Sequence, residues 1–227
     1  MVAILGILAA ILIPAVGGML ARGRTAKSTG NLQQIYSAVY QHVVDNDGNF
    51  PYAFGGGGSP RPPGANDKSR GYWYDVVKAR LYPHPGGNAL LSRLDGPSGW
   101  GPASATDTTG TVLRSPNAEK SWPVSVISYG YNNRFSYDPN RSQKLALIYN
   151  NRKTVLLADN LGNTHSLTPD NASTVGKLNP RNGASKDLAA DGMAIAIFID
   201  GHSELLNAET CDELNGDKNH PFWGVAP

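Results

Sequence analysis

The chain has a single cysteine, Cys211, among its 227 residues. One cysteine excludes an intrachain disulfide and any zinc site built from several cysteine thiolates. Charged residues make up only 17% of the chain, the net charge is +2, and lysine and arginine form no block. A nucleic-acid groove needs clustered cations with interleaved aromatic side chains, so the sequence predicts no nucleic-acid partner.

The motifs of common catalytic sites are also absent. The sequence contains no G-x-S-x-G nucleophile elbow, no H-E-x-x-H zinc motif and no P-loop. Asp45 and Asp47 open a D-x-D-G stretch similar to the start of a calcium loop, but Gly56 stands where an EF-hand needs its glutamate. Asp200 and His202 flank a turn glycine. We predict that the protein is not an enzyme and binds no cofactor, and we keep these four residues only as candidate metal ligands.

An uncharged apolar run occupies residues 2–21, before the first charge at Arg22. As a helix rising about 1.5 Å per residue, the run reaches roughly 30 Å, the thickness of a bilayer core. It fits a secretory signal peptide or a generic transmembrane anchor. No basic stretch precedes the run and it is long, which disfavours a signal peptide. Arg22, Arg24 and Lys27 follow it, as they would follow an anchor.

A second apolar pattern, with helical spacing, begins after these cations. Its members are Leu32, Ile35, Tyr36, Val39, Tyr40 and Val43. They form one stripe of an amphipathic helix over about residues 26–44, and the stripe should pack on a sheet. Gly48 suits a left-handed helix end and Pro51 bars continuation. We therefore expect a hydrophobic helix at residues 1–25 and a globular head at residues 26–227.

The rest of the chain predicts short strands and loops. Stretches rich in glycine and proline at 53–71 and 95–111 predict loop insertions, and residues 72–82 predict a short helix. Apolar, β-branched and aromatic runs predict strands at 124–131, 145–149, 154–158, 194–199 and 203–206. Asp200-Gly201 predicts the hairpin turn between the last two. The predicted fold is α+β: a long N-terminal helix, hydrophobic and then amphipathic, packed on an antiparallel sheet.

The residue order within the apolar run is more specific than its hydrophobicity. Ala3-Ile4-Leu5-Gly6-Ile7-Leu8-Ala9-Ala10-Ile11-Leu12-Ile13-Pro14-Ala15 resembles the second half of the N-terminal segment of type IV pilins and type II secretion pseudopilins. In that family a basic leader, a cleavage site, a methylated first residue and a glutamate come earlier in the segment, and none of them stands here. We therefore expect further residues of this segment to precede Met1 in the natural chain.

Several blocks of the head resemble prepilin-like proteins of the H-X9-DG type, in the same order along the chain. They are Asp45–Pro51, Arg114-Ser115-Pro116, Ser128-Tyr129-Gly130-Tyr131-Asn132, Thr154-Val155-Leu156-Leu157-Ala158-Asp159, Asn179-Pro180-Arg181-Asn182-Gly183 and Ile197-Phe198-Ile199-Asp200-Gly201-His202. The chain departs from the family at Asn182, where a histidine is usual, and at Ser115, where a cysteine is common. Seventeen residues separate Asn182 from Asp200, a longer spacing than the family's.

The resemblance implies a structural subunit of a pilin-like extracellular or periplasm-spanning filament. Its partners would be copies of itself, the pilus or secretion assembly machinery, and the bacterial inner membrane before assembly. Alternatives are a type II secretion pseudopilin and a membrane-anchored extracytoplasmic module that binds carbohydrate through exposed Trp and Tyr side chains. The assembly residues implied by the resemblance are Ala3, Ile4, Leu5, Gly6, Ile7, Leu8, Ile11, Leu12 and Pro14.

Overall fold

The computed structural model describes residues 2–51, 53, 73–82, 108, 110–118, 127–135, 145, 148, 150–161, 166–168, 176–183 and 192–224, with the backbone alone at 2–15, 75 and 79. The helices are α1 (Val2–Asp45), α2 (Trp73–Leu81) and α3 (Ala208–Gly216). The strands are β1 (Tyr129–Asn132), β2 (Val155–Leu161), β3 (Ser166–Leu167), β4 (Lys177–Leu178), β5 (Met193–Phe198) and β6 (Ser203–Asn207). Short 3-10 helices span Asn133–Phe135 and Pro221–Trp223.

The strands form one six-stranded sheet in the order β3-β1-β2-β5-β6, with β4 paired to β2. The α+β class is confirmed, but the expectation of an antiparallel sheet is wrong in one pairing, because β1 and β3 are parallel. Strand β3 follows β2 in the chain and runs antiparallel to it. It pairs with β1, however, on the edge of β1 that faces away from β2. The sheet is therefore mixed.

The amphipathic half of α1 covers one face of this sheet. Leu32, Ile35 and Val39 are fully buried, and Val43 is almost so. They pack in one cluster with Ile195 and other residues of β1, β2 and β5, and α2 joins the same side through Trp73 and Val77. Burying such side chains stabilises the head by about 1.5–3 kcal/mol each.

A second apolar cluster occupies the opposite face of the sheet. Alternate residues of β5 point to the two sides: Ile195 and Ile197 toward α1, Ala196 and Phe198 toward the second cluster. Helix α3 and the C-terminal 3-10 helix close that cluster, which contains Trp223. The head thus has three layers, with α1 and α2 on one side of the sheet and α3 on the other.

Helix α1 is continuous from Val2 to Asp45, so glycines 17, 18 and 23 do not interrupt it. Its side chains are described from Val16 onward. Within the part of the chain that the structure describes, no helix combines the length and the apolar content that a membrane crossing requires. The predicted span at 2–21 has most of its side chains outside that part.

Candidate functional site

The first candidate region is the part of α1 that precedes the head. Val16, Met19 and Leu20 are 44%, 72% and 57% exposed, and Ser28 is the first buried residue among the described side chains of α1. A methyl group added at Gly17, Gly18 or Gly23 would meet no atom within 4 Å. Residues 16–27 are therefore a helical extension with exposed apolar side chains.

The second candidate region is the Asp200-Gly201 turn between β5 and β6, which lies against α1. The hydroxyl of Tyr36 donates a hydrogen bond to the carbonyl of Ile199 at 3.0 Å, and Gln33 Nε2 donates to the carbonyl of Gly201 at 3.3 Å. Gly201 has a φ of +89°, and a Cβ there would lie 3.0 Å from three atoms of the Tyr36 side chain. Burial, with the Tyr40 and Asp200 charges, raises the pKa of Tyr36 to about 12. The turn thus fastens the sheet to the middle of α1.

His202 lies between two carboxylates beside this turn. Its Nδ1 is 2.5 Å from Asp200 Oδ1, its Nε2 is 3.2 Å from Glu204 Oε1, and its ring stacks on Phe198 at 4.3 Å. Partial burial lowers the pKa of His202, but its hydrogen bonds to the two carboxylates leave the pKa above the ordinary value. Because the two carboxylates bind opposite ring nitrogens, they do not converge on one point where an ion could sit. Among the described residues, no group of three or more acidic, histidine or cysteine side chains could hold a metal.

The other two candidate metal ligands, Asp45 and Asp47, join no ligand set within the described ranges either. Asp45 accepts a hydrogen bond at 2.6 Å from the Arg80 guanidinium of α2, which is an ion pair. Asp47 is exposed and has a φ of +55° in the turn that ends α1. Helix capping and helix–helix contact account for both positions.

The third candidate region is a buried ion pair in the sheet. Asp159 of β2 is fully buried, and its Oδ1 lies 3.5 Å from Nε of the buried Arg181. Its Oδ2 accepts hydrogen bonds from Asn182 Nδ2 at 2.6 Å and from the Ile195 amide at 2.9 Å. Arg181 also donates to the carbonyl of Asn160. Desolvation outweighs the Arg181 charge and these bonds, and it raises the pKa of Asp159 to about 6.

Polar contacts connect this region of the sheet to α1. Tyr129 of β1 pairs with Asp159 across the sheet, and its hydroxyl shares a hydrogen bond with Ser28 Oγ at 2.9 Å. Ser28 Oγ also lies 3.2 Å from Ser115 Oγ, and Asn31 Nδ2 donates to the Arg114 carbonyl at 3.2 Å. Burial, followed by the Asp159 charge, raises the pKa of Tyr129 above its ordinary value. Buried hydrogen bonds therefore fix α1 where it enters the head.

Most of these residues lie in the sequence blocks that resemble prepilin-like proteins, and the blocks predict no site role for them. Arg114, Ser115, Tyr129, Asp159, Arg181 and Asn182 come from separate blocks, and the fold brings these blocks together. Asn182 donates to Asp159 and accepts from Asn117 Nδ2 at 2.8 Å. The available signal was a carboxylate, Asp159, directly after the apolar run Val155–Ala158, since a charge that is buried with such a run needs a partner.

The residues expected to seat α1 on the sheet have two environments. Leu32, Ile35, Val39 and Val43 are buried, Tyr36 is half-buried, and Tyr40 stacks on Tyr36 at the surface, with ring centroids 5.6 Å apart. The side chains from Ala3 to Pro14 lie outside the described residues. Trp73 and Trp223 are fully buried, while Trp100 and Trp122 lie outside the described residues.

Comparison of the chain with protein-family models, with curated proteins and with solved structures found no match.

Proposed function

We propose that the protein is a pilin-like structural subunit that assembles through the N-terminal half of α1 into a filament. The observation that carries the proposal is one continuous helix with two different surroundings. Leu32, Ile35, Val39 and Val43 of its stripe are buried in the head. Val16, Met19 and Leu20, earlier on the same helix, are exposed apolar side chains. Exposed apolar surface of this kind is typical of a region that packs against another molecule.

The firm attachment of α1 to the head supports the same function. A subunit held in a filament by its helix transmits load from that helix to its own sheet. Here the Tyr36 and Gln33 contacts hold the β5–β6 turn, and Ser28 with Asn31 holds the start of the buried half. The order of the apolar residues from Ala3 to Ala15, which resembles the pilin segment, adds the family expectation.

The related alternative, a type II secretion pseudopilus, uses the same kind of assembly, and filament length would distinguish the two. For the carbohydrate-binding alternative, the buried positions of Trp73 and Trp223 leave the other two tryptophans and the exposed tyrosines as candidates. A glycan screen with the full chain tests that alternative directly.

The assembly test compares two substitutions on the same helix. The variant V16D/L20D places carboxylates on the exposed extension, and the control Val44→Asp changes a residue that is 64% exposed within the head. We expect detergent removal to give filaments, visible by negative-stain microscopy, for the wild type and the control but not for V16D/L20D. Antibodies against the head should also label filaments on the source cells. A wild-type chain that stays monomeric, with unlabelled cells, contradicts the proposal, and so does unchanged assembly of V16D/L20D.

A further inference from the structure

The exposed extension of α1 carries a stripe that combines apolar and cationic residues. Positions i, i+3, i+4, i+7, i+8 and i+11 from Val16 share one side of a helix. They are Val16, Met19, Leu20, Gly23, Arg24 and Lys27, and we call them the extension stripe. Gly23 would meet no atom within 4 Å if it carried a Cβ, so a partner can approach the backbone closely there.

The cations of the extension stripe have no acidic partner among the residues that the structure describes. Helix α1 contains no Asp or Glu before Asp45. Within the described part of the chain, neither Arg24 nor Lys27 forms an ion pair. Both side chains are exposed. The stripe therefore fits a partner surface that offers carboxylates.

Helix α3 offers such a surface. Glu209, Asp212 and Glu213 are exposed at the spacing i, i+3 and i+4, so they lie on one face. The opposite face of α3 is buried through Cys211 and Leu214. No lysine or arginine lies in α3. Glu209, in the first turn, also stabilises the helix N-terminus, but Asp212 and Glu213 lie beyond the first turn.

The two surfaces lie on different sides of one subunit. The buried half of α1, from which the extension stripe continues, packs on one face of the sheet, and α3 packs on the other face. Complementary surfaces placed on different sides of a subunit give a heterologous contact, which can repeat without closing. We propose that the cationic end of the extension stripe, Arg24 with Lys27, docks on the acidic face of α3 in a neighbouring copy. This contact rests on the proposed filament function and assigns its subunit interface.

Two reciprocal charge reversals test the pairing in the full chain. The variant R24E/K27E makes the stripe acidic, and D212K/E213K makes the α3 face basic. Each variant alone places like charges in contact, and we expect its critical concentration for assembly to rise by about tenfold. A mixture of the two should assemble, because the acidic stripe of one meets the basic α3 face of the other. The control R22E/K153E changes the net charge as much as R24E/K27E does, at exposed positions outside both surfaces.

The outcomes separate this contact from the proposed function. A raised critical concentration for R24E/K27E and for D212K/E213K when each is alone, recovery in the mixture and normal assembly of the control support the pairing. If the wild type itself does not form filaments, the proposed function fails and the contact fails with it. Normal assembly of either charge-reversed variant overturns the contact alone. A mixture that stays unassembled also overturns it, since the two charge sets then do not meet each other. Circular dichroism of each variant verifies that the head remains folded.

Discussion

Replacing Gly201 by alanine tests whether direct contact holds the β5–β6 turn against α1. Gly201 has a φ of +89°, and its added Cβ would lie 3.0 Å from Cε1, Cζ and the hydroxyl oxygen of Tyr36. The ring is not free to swing aside without loss, because its hydroxyl donates to the Ile199 carbonyl. An alanine in the left-handed region costs about 1–2 kcal/mol, part of which is offset by a stiffer unfolded chain. Overpacking against the ring adds about 1–3 kcal/mol.

Gly110 provides the matched control for backbone strain. Its φ is +78°, and a Cβ there would meet nothing within 4 Å. We therefore expect Gly110→Ala to lower the free energy of unfolding by about 1 kcal/mol, and Gly201→Ala to lower it by about 2–4 kcal/mol. In a domain of this size each kcal/mol shifts the melting temperature by about 2–4 °C, which thermal unfolding followed by circular dichroism resolves.

Repeating Gly201→Ala in the Tyr36→Leu variant isolates the contact between residue 201 and the Tyr36 ring. Tyr36→Leu removes the ring, so adding Gly201→Ala to it should cost only the strain measured at Gly110. If alanine destabilises the protein equally at 201 and 110, or if the loss at 201 persists without the Tyr36 ring, the turn is not held by this contact.

Three further predictions concern the core and the buried polar residues. Leu32→Ala should destabilise the head by about 2–5 kcal/mol in thermal unfolding, whereas Leu205→Ala, at a side chain 54% exposed, should change little; equal losses contradict the packing of α1. Tyr129→Phe leaves the Ser28 hydroxyl short of one partner and should cost about 1–2 kcal/mol; no loss contradicts this contact. The raised pKa of Asp159, about 6, means that the folded state binds its proton more tightly than the unfolded state. The contribution of this proton binding to the free energy of unfolding is full below about pH 4, and it should fall by about 3 kcal/mol as the pH rises to about 6. Asp159→Asn should flatten this part of the profile of unfolding free energy against pH, and an unchanged slope contradicts the assignment.

Periodicity was sufficient to locate the elements with strong local patterns. The stripe from Leu32 to Val43 predicted the buried half of α1, and Asp200-Gly201 predicted the hairpin between β5 and β6. The short helix expected at 72–82 is α2, Trp73–Leu81. These segments could be predicted because each pattern is complete within a short stretch of chain.

Elements without such a pattern were missed. Strands β3 and β4 have two residues each, too few for an alternating pattern. Leu145 and Ile148, the described residues of the run 145–149 predicted as a strand, lie in no strand. Helix α3 follows β6 without a loop. Its start signal was Asn207, whose side chain accepts a hydrogen bond from the Thr210 amide, but the apolar run ends before it.

The buried polar residues show why such a site cannot be predicted from the sequence alone. Asp159 and Tyr129 meet because β1 and β2 pair in one particular register, and a shift of one residue would move each side chain to the other face. Arg181 and Asn182 come to the same carboxylate from a segment more than twenty residues away, which no local pattern encodes.

The position of the Asp159 ion pair also helps to explain how the orientation of α1, which is buried in one half and exposed in the other, is fixed. A buried ion pair adds little net stability, because the cost of desolvation cancels most of the attraction between the charges. Removing one partner nevertheless destabilises the protein strongly, and the pair is favourable only in a restricted geometry. Tyr129 lies between this pair and Ser28, the first buried residue of α1. A purely apolar contact at Ser28 would tolerate sliding or rotation of the helix, whereas hydrogen bonds to Ser28 and Asn31 fix its angular position. Fixing that angle also fixes the direction in which Arg24 and Lys27 point, because both lie within the turn that precedes Ser28. In the proposed filament, the buried residues thus determine which side of the extension faces a neighbouring copy.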